Sequence, residues 1–343
     1  MHDLTLSPST DPADIYRLRD ALYASDLFIA ALTKLDFFTW IGRRPSTVDG
    51  ICAHFGFHAR PVLAMTTLFI AQGHLTRDEK GVLHLTGAAR EHLSKDSPWC
   101  VEPYFPRMKD RPIARDYLEI LRTGHPARFA SRDHEVDWHN AMKTEAFAEE
   151  FTAMMDSRGV LLGQAVAKAA DLTGHRRLLD IAGGSGIYAC ALCAQWPELT
   201  ATVFEKPPVD RIAARAIDRR GCGDRVDTLA GDMLAQPLPA GYDVHLFSNV
   251  LHDWDIPVVK QLLAASASAL PLGGLLILHD AWLNEDLTGP LHMAEYSVLL
   301  VHVTQGRCYG LTEMRAFLEE AGFHRIQHHA IAGGRGVITA EKQ

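Results

Sequence analysis

Apolar residues recur at helical spacing from Ala13 to Trp40, with Ile15, Leu18, Leu22, Leu27, Ala31 and Leu35 on the repeating positions. That period predicts a long amphipathic helix. The following stretch, RRPSTVDGICAHFGFHARPVLAMTTLFIAQGHL, predicts two short helices around HFGFH. Ser46 or Thr47 caps the first, and the second starts near Ala59–Pro61, where a first-turn proline is tolerated. LTRDEKGVLHLT reads as a hairpin turning at Asp78–Gly81. Residues 96–175 read as mostly helical, including EEFTAMMDSRGVLLGQAVAKAADL. From residue 176 the texture changes to alternating strand and helix, the pattern of a doubly wound α/β sheet. Three regions are therefore expected: a winged-helix-like, helix-rich segment over 1–95, a helical linker over 96–175 and a Rossmann-like domain over 176–343.

Helix, helix, helix, hairpin is also the order of a DNA-binding winged helix. Residues 1–95 hold ten Lys/Arg and ten Asp/Glu, so no basic face is available to neutralise phosphates. The candidate recognition helix offers Arg60 and then mostly apolar side chains. The whole chain of 343 residues carries a formal charge of −8, which argues against a polyanionic partner. The surplus apolar surface of the N-terminal helices points instead to a homodimer interface. No apolar run is long enough to span a bilayer and the N-terminus is polar, so neither membrane insertion nor a secretory signal is expected. Six cysteines in this length do not make a disulfide framework; a reduced, cytoplasmic protein is the expectation.

Chemistry concentrates in LLDIAGGSGIYA, where Gly184 to Ala189 satisfies the G-x-G-x-x-A dinucleotide pattern. The run lacks the G-K-[ST] of a phosphate-binding loop and has no Lys or Arg. Asp180, just before Gly183, Gly184 and Gly186, repels a pyrophosphate but suits a cationic amino-acid ligand held indirectly. Strand two ends in Glu205, placed to grip two ribose hydroxyls of a nicotinamide or a nucleoside cofactor. Strand three ends in AGDM, where Asp232 pairs with an adenine and Met233 packs on it. That polar-plus-thioether step favours S-adenosyl-L-methionine, with S-adenosyl-L-homocysteine as product, over a dinucleotide.

Taken jointly, LLDIAGGSG, VFEKPPV, GDM, LHDW and EEAGF behind a winged-helix segment resemble the dimeric, metal-independent small-molecule O-methyltransferases. That family includes caffeate and acetylserotonin enzymes and a bacterial secondary-metabolite branch. The resemblance spans essentially the whole chain. It implies a Rossmann-like methyltransferase sheet whose glycine loop holds the methionine end of the cofactor, with Ser248 and Asn249 at cofactor-contacting positions. The family often has three glycines after the acid; here the first is Ala182, a change that costs little unless that backbone needs positive φ.

Methyl transfer to a hydroxyl needs a base, and His252 in SNVLHDWD lies just past strand four at the carboxyl edge of the sheet. The resemblance implies that Asp280, 28 residues on at the end of strand five, hydrogen-bonds its imidazole; capping the next turn is the bland alternative. The family's second acid is missing near Tyr309, in RCYGLT. Asp253 reads as structural, and Trp254 either packs on the adenine or fills core. Met154 and Met155 occupy a segment where the family packs methionine on an aromatic acceptor. His292, Met293 and Tyr296 add aromatic, thioether and imidazole groups suited to a flat, partly polar acceptor. The C-x-x-C of Cys190 and Cys193 reads as buried hydrophobes, and His328 and His329 are neighbours on a strand, so no metal is expected. Alternatives are C- or N-methylation on the same scaffold, a winged-helix regulator, and a nicotinamide oxidoreductase.

Overall fold

The structure, a computed structural model, describes residues 3–105, 107–127 and 141–343; residue 106 and residues 128–140 of the expected linker lie outside them. The chain forms two compact units, each discontinuous in sequence. One comprises residues 14–129 and 282–312; the other comprises 1–13, 130–281 and 313–343.

The first unit begins with helices Ala13–Thr33 (α1), Phe37–Arg43 (α2), Val48–Phe55 (α3) and Ala59–Ala71 (α4). A hairpin of Leu75–Arg77 (β1) and Leu83–Leu85 (β2) follows, then helices Gly87–His92 (α5) and Pro112–Thr123 (α6). Of the two candidate caps, Thr47 holds α3, accepting from the Gly50 amide through its hydroxyl. The single helix expected over 13–40 breaks before Asp36, which takes a left-handed conformation. The buried face of α1 also differs from the simple apolar reading. Ile15, Leu18 and Leu22 are 69%, 71% and 58% exposed, whereas Asp20 and Asp26 are buried. Arg19 pairs with Asp20, and Arg111 makes a two-pronged bond to Asp26, so these acids enter the interior with a counter-charge. The Arg60 guanidinium donates to the carbonyls of Gly124, Thr304 and Gly306. It closes chain ends and leaves the recognition-helix position without its one basic group.

The second unit carries helix Glu145–Ala169 (α7) and then Arg177–Ile181 (β3), Ile187–Gln195 (α8), Thr200–Glu205 (β4), Val209–Arg219 (α9) and Val226–Ala230 (β5). Val244–Ser248 (β6), Ile256–Ala269 (α10) and Leu275–Asp280 (β7) complete the parallel part. After Trp282–Leu283 (β8), Leu291–Val303 (α11) and Tyr309–Gly310 (β9) in the first unit, the chain returns through Leu311–Glu320 (α12) to strands Phe323–Ala330 (β10) and Gly336–Lys342 (β11). The seven-stranded order is β10-β11-β7-β6-β3-β4-β5, parallel except for β10 and β11. Strands β3, β6 and β7 are almost wholly buried apolar runs, as a sheet covered on both faces requires. The order reverses at β3, which pairs with both β4 and β6. Ligands of open α/β sheets bind outside the carboxyl ends at such a switch point.

Candidate active site

At the end of β3 the backbone turns through Ala182, Gly184 and Gly186, all at positive φ. The Ala182 position does need the left-handed region (φ 55), so alanine there is strained by about 1–2 kcal/mol. Gly183 is required for a different reason: a Cβ would fall 2.4 Å from the Asp180 carboxylate beneath it. Asp180 itself is fully buried, and neither oxygen has a hydrogen-bond partner among the described residues. Burial, reinforced by the charge of Glu205, pushes its carboxyl up to about 7. Asp180 therefore lies under the loop and presents no exposed surface of its own.

Glu205 ends β4 half-buried and accepts the amides of Gly184 (3.1 Å) and Lys206 (2.8 Å). Burial outweighs those bonds and raises its carboxyl to about 7. Beyond β5, Asp232 is held by Lys206 (2.9 Å) and the Leu234 amide (2.9 Å). Burial opposes its ionisation, but the Lys206 bond and the Leu234 amide prevail and lower its pKa. Met233 beside it is half-buried.

The dyad lies where β6 and β7 end. His252 sits in a short 3-10 turn, Leu251–Asp253, directly after β6, and its Nδ1 bonds Oδ1 of Asp280 at the end of β7. Both are buried, 4% and 3% exposed. Asp280 also accepts the Ala281 amide at 2.7 Å. Burial alone would raise the Asp280 carboxyl, but the charge and hydrogen bond of His252, with that amide, hold it below the usual range. An ionised Asp280 accepts a hydrogen bond from the Nδ1–H, which selects the tautomer whose ring lone pair is on Nε2. Nε2 faces Oδ1 of Asp253 at 3.5 Å; burial lifts the Asp253 carboxyl to about 6. Asp253, expected from the sequence to be structural, thus stands on the Nε2 side of the imidazole.

Next to the dyad, Ser248 and Asn249 join a polar network with two residues that the sequence did not single out, His279 and Tyr188. His279 is fully buried, with Nδ1 2.8 Å from the Ser248 hydroxyl and its ring centroid 5.1 Å from that of Tyr188. Burial drives its pKa down to about 3, so it stays neutral. Asn249, at positive φ, donates to the Tyr188 hydroxyl (3.3 Å) and the Ser248 hydroxyl (3.2 Å). Its side-chain oxygen is buried with no hydrogen-bond partner among the described residues. A positive φ and an unsatisfied buried acceptor thus coincide at the end of β6.

The remaining candidates fall in different units. Met154 and Met155 are on α7, Met154 about half exposed, and Arg158 lies 3.4 Å from the Met155 sulfur. Trp254 is half-buried after the His252 turn. In the other unit, His292, Met293 and Tyr296 are on α11, the Tyr296 ring beneath Arg19. Tyr309 is buried on β9 with the Arg307 guanidinium 4.6 Å from its ring centre. Cys190 and Cys193 are buried and free, and burial pushes the Cys193 thiol up to about 12. Among the described residues no group of three potential ligands is arranged to hold a metal.

Residues 116–324 match the O-methyltransferase domain. The chain belongs to that family. It is 31% identical over 292 residues to a 3-hydroxy-5-methyl-1-naphthoate 3-O-methyltransferase from Streptomyces sahachiroi, covering 84% of this chain and 83% of the relative. Identity is 27% over 332 residues to the tetracenomycin polyketide synthesis 8-O-methyl transferase TcmO of Streptomyces glaucescens, covering 94% of each. The crystal structure of an O-methyltransferase family 2 protein from Planctomyces limnophilus in complex with apigenin superposes with a TM-score of 0.89 at 30% identity, covering 100% of this chain and 99% of that one. As a methyltransferase, this chain has the sheet of its structural neighbour, with the glycine loop, Glu205 and His252 at its carboxyl edge.

Proposed function

We propose that this methyltransferase moves the methyl group of S-adenosylmethionine to a hydroxyl of a small aromatic metabolite, with His252 as general base. The observation that supports the reading is the buried His252–Asp280 pair beside the switch point, with Nδ1 bonded to the carboxylate. The residues suit the cofactor. Glu205 has carboxylate lone pairs for two ribose hydroxyls, the orphaned Asn249 oxygen suits an ammonium, and Asp180 and Glu205 supply negative potential. S-adenosylmethionine supplies a methyl group already activated on a cationic sulfur. The protein's tasks are alignment of the acceptor oxygen and removal of its proton. His252 accepts that proton at Nε2, and Asp280 holds the ring in the required tautomer and stabilises the imidazolium that results. Asp253 is a second acceptor close enough to orient the substrate hydroxyl.

The aromatic class of the acceptor follows from the naphthoate and polyketide relatives and from the apigenin complex. Incubation with methyl-labelled S-adenosylmethionine and a panel of naphthoates and phenols, read by mass spectrometry, tests it. O-methyl products support the reading, and methylation only at carbon or nitrogen refutes it. The exposed stripe of Ile15, Leu18 and Leu22 on α1 is one helical face, and a second copy of the chain is its proposed cover. Light scattering should find a dimer that Leu18→Asp dissociates; a monomeric wild type removes that proposal. No disulfide joins cysteines among the described residues, which fits a reducing cytoplasm. No helix among the described residues is long and apolar enough to cross a membrane.

A further inference from the structure

The glycine loop contains one side chain able to hydrogen-bond, Ser185; its neighbours are Ala182, Gly183, Gly184 and Gly186. Ser185 is buried, and its hydroxyl donates to Oδ1 of Asp156 on α7. The same oxygen accepts from Nη2 of Arg220, which follows α9. One mostly buried carboxylate thus joins the loop after β3 to the helix that leaves the Glu205 strand.

The approach of α7 is itself built in. One turn after Asp156, a Cβ on Gly159 would fall 2.2 Å from Cγ2 of Ile187, and one on Gly163 would fall 2.9 Å from the Ala191 Cβ. These two glycines let α7 lie tight along α8, the helix the glycine loop opens. A loop of this composition has little conformational preference of its own, because glycine leaves the backbone free. Its shape must be imposed by what surrounds it, and Ser185 is its only side-chain handle.

We propose that Asp156 is a positioning residue for the cofactor: neutralised by Arg220, it holds Ser185 and so fixes the glycine loop in the form that receives the methionine end of S-adenosylmethionine. The inference rests on the cofactor reading above. Asp156 acts through Ser185, so its loss falls on cofactor binding and spares proton removal from the acceptor.

The test is calorimetric titration of the full chain with S-adenosylhomocysteine for wild type, Ser185→Ala, Asp156→Ala and the double variant, alongside initial rates at saturating S-adenosylmethionine. Ser185→Ala should weaken binding about tenfold, the loss of one charge-assisted hydrogen bond. Asp156→Ala should weaken it at least as much, and the double variant no further than Asp156→Ala alone. kcat at saturating cofactor and KM for the acceptor should stay near the wild-type values. Wild-type affinity in both single variants, additive losses, or a loss confined to kcat or to the acceptor KM would overturn the proposal. Should Asp156→Ala not fold, Ser185→Ala decides alone, since it removes a single oxygen: unchanged affinity overturns the clasp. A wild type that fails to bind S-adenosylhomocysteine would instead overturn the cofactor reading, an outcome distinct from tight binding that the variants leave unaltered.

Discussion

Two buried histidines in this protein each meet an aspartate, one in each compact unit. His252 bonds Asp280 at the carboxyl ends of β6 and β7. His302, near the end of α11, sets Nε2 3.0 Å from Asp116. The second imidazole lies between the rings of Tyr23 and Tyr117, at 5.2 and 5.4 Å, and Asp116 is open to solvent on one side. Burial lowers the pKa of His302 in spite of Asp116, so it is a neutral core residue with one tether. In the first pair the aspartate is the buried, ionised member, and the far nitrogen of the imidazole faces another acid, Asp253. The same two residue types thus make a structural contact in one unit and the proposed acid–base pair in the other. Surroundings decide: His252 stands at a switch point of a parallel sheet, whereas His302 is ten residues along α11 from His292, about 15 Å at helical rise.

Substitutions can sharpen that contrast. The largest expected effect is on His252→Ala, which should lower kcat on a phenolic acceptor by about 10²- to 10⁴-fold. His302→Leu should leave kcat at the wild-type level and change only the melting temperature. Equal losses of turnover would erase the distinction. Asp280→Asn keeps the shape but swaps an ionised acceptor for a neutral amide, and about a 10- to 100-fold drop in kcat is expected. Its measurement by initial rates should find the cofactor KM unchanged.

A smaller effect concerns the cofactor side. Glu205 is raised to about 7 by burial, and accepting two ribose hydroxyls favours its ionised form. Binding then releases a proton, so affinity is full above about pH 7 and is lost as pH falls below it, by up to about tenfold per unit for one proton. Asp180 titrates in the same window. Glu205→Gln should accordingly reduce the slope of log Kd for S-adenosylhomocysteine against pH, as well as weaken binding at pH 8. A slope unchanged by the substitution would remove Glu205 from the site. The smallest effect is expected at Ala182→Gly. Relief of the left-handed strain (φ 55), less the added freedom of glycine in the unfolded chain, should stabilise the protein by about 0.5–1 kcal/mol. A denaturant melt checks it, and destabilisation would contradict the strain.

The alternation of strand and helix after residue 176 was legible because buried parallel strands are near-continuous apolar runs, and the acids that end them stand out. Asp180, Glu205 and Asp280 were found in that way. His279 was hidden by the same logic: next to Asp280 on one strand, it points to the opposite face, where it meets Ser248 and Tyr188. Tyr188 fell on an unconstrained position of the glycine pattern. The contact between Asp156 and Ser185 spans 29 residues and two elements, and no local period encodes it. On α1 the periodicity identified which residues share a face but not where that face points. Asp20 and Asp26 go inward because arginines meet them, one of them 85 residues away, leaving Ile15, Leu18 and Leu22 outside.

The proposed roles of Glu205 and His252 both require a sulfonium cofactor lying along the carboxyl edge between them. A crystal structure of the complex with S-adenosylhomocysteine measures that directly. Both ribose hydroxyls should lie within hydrogen-bonding distance of the Glu205 carboxylate, and the sulfur on the side of the crevice from which a methyl group would point toward Nε2 of His252. A ribose bound away from Glu205, or a sulfur turned from the imidazole, would contradict those roles.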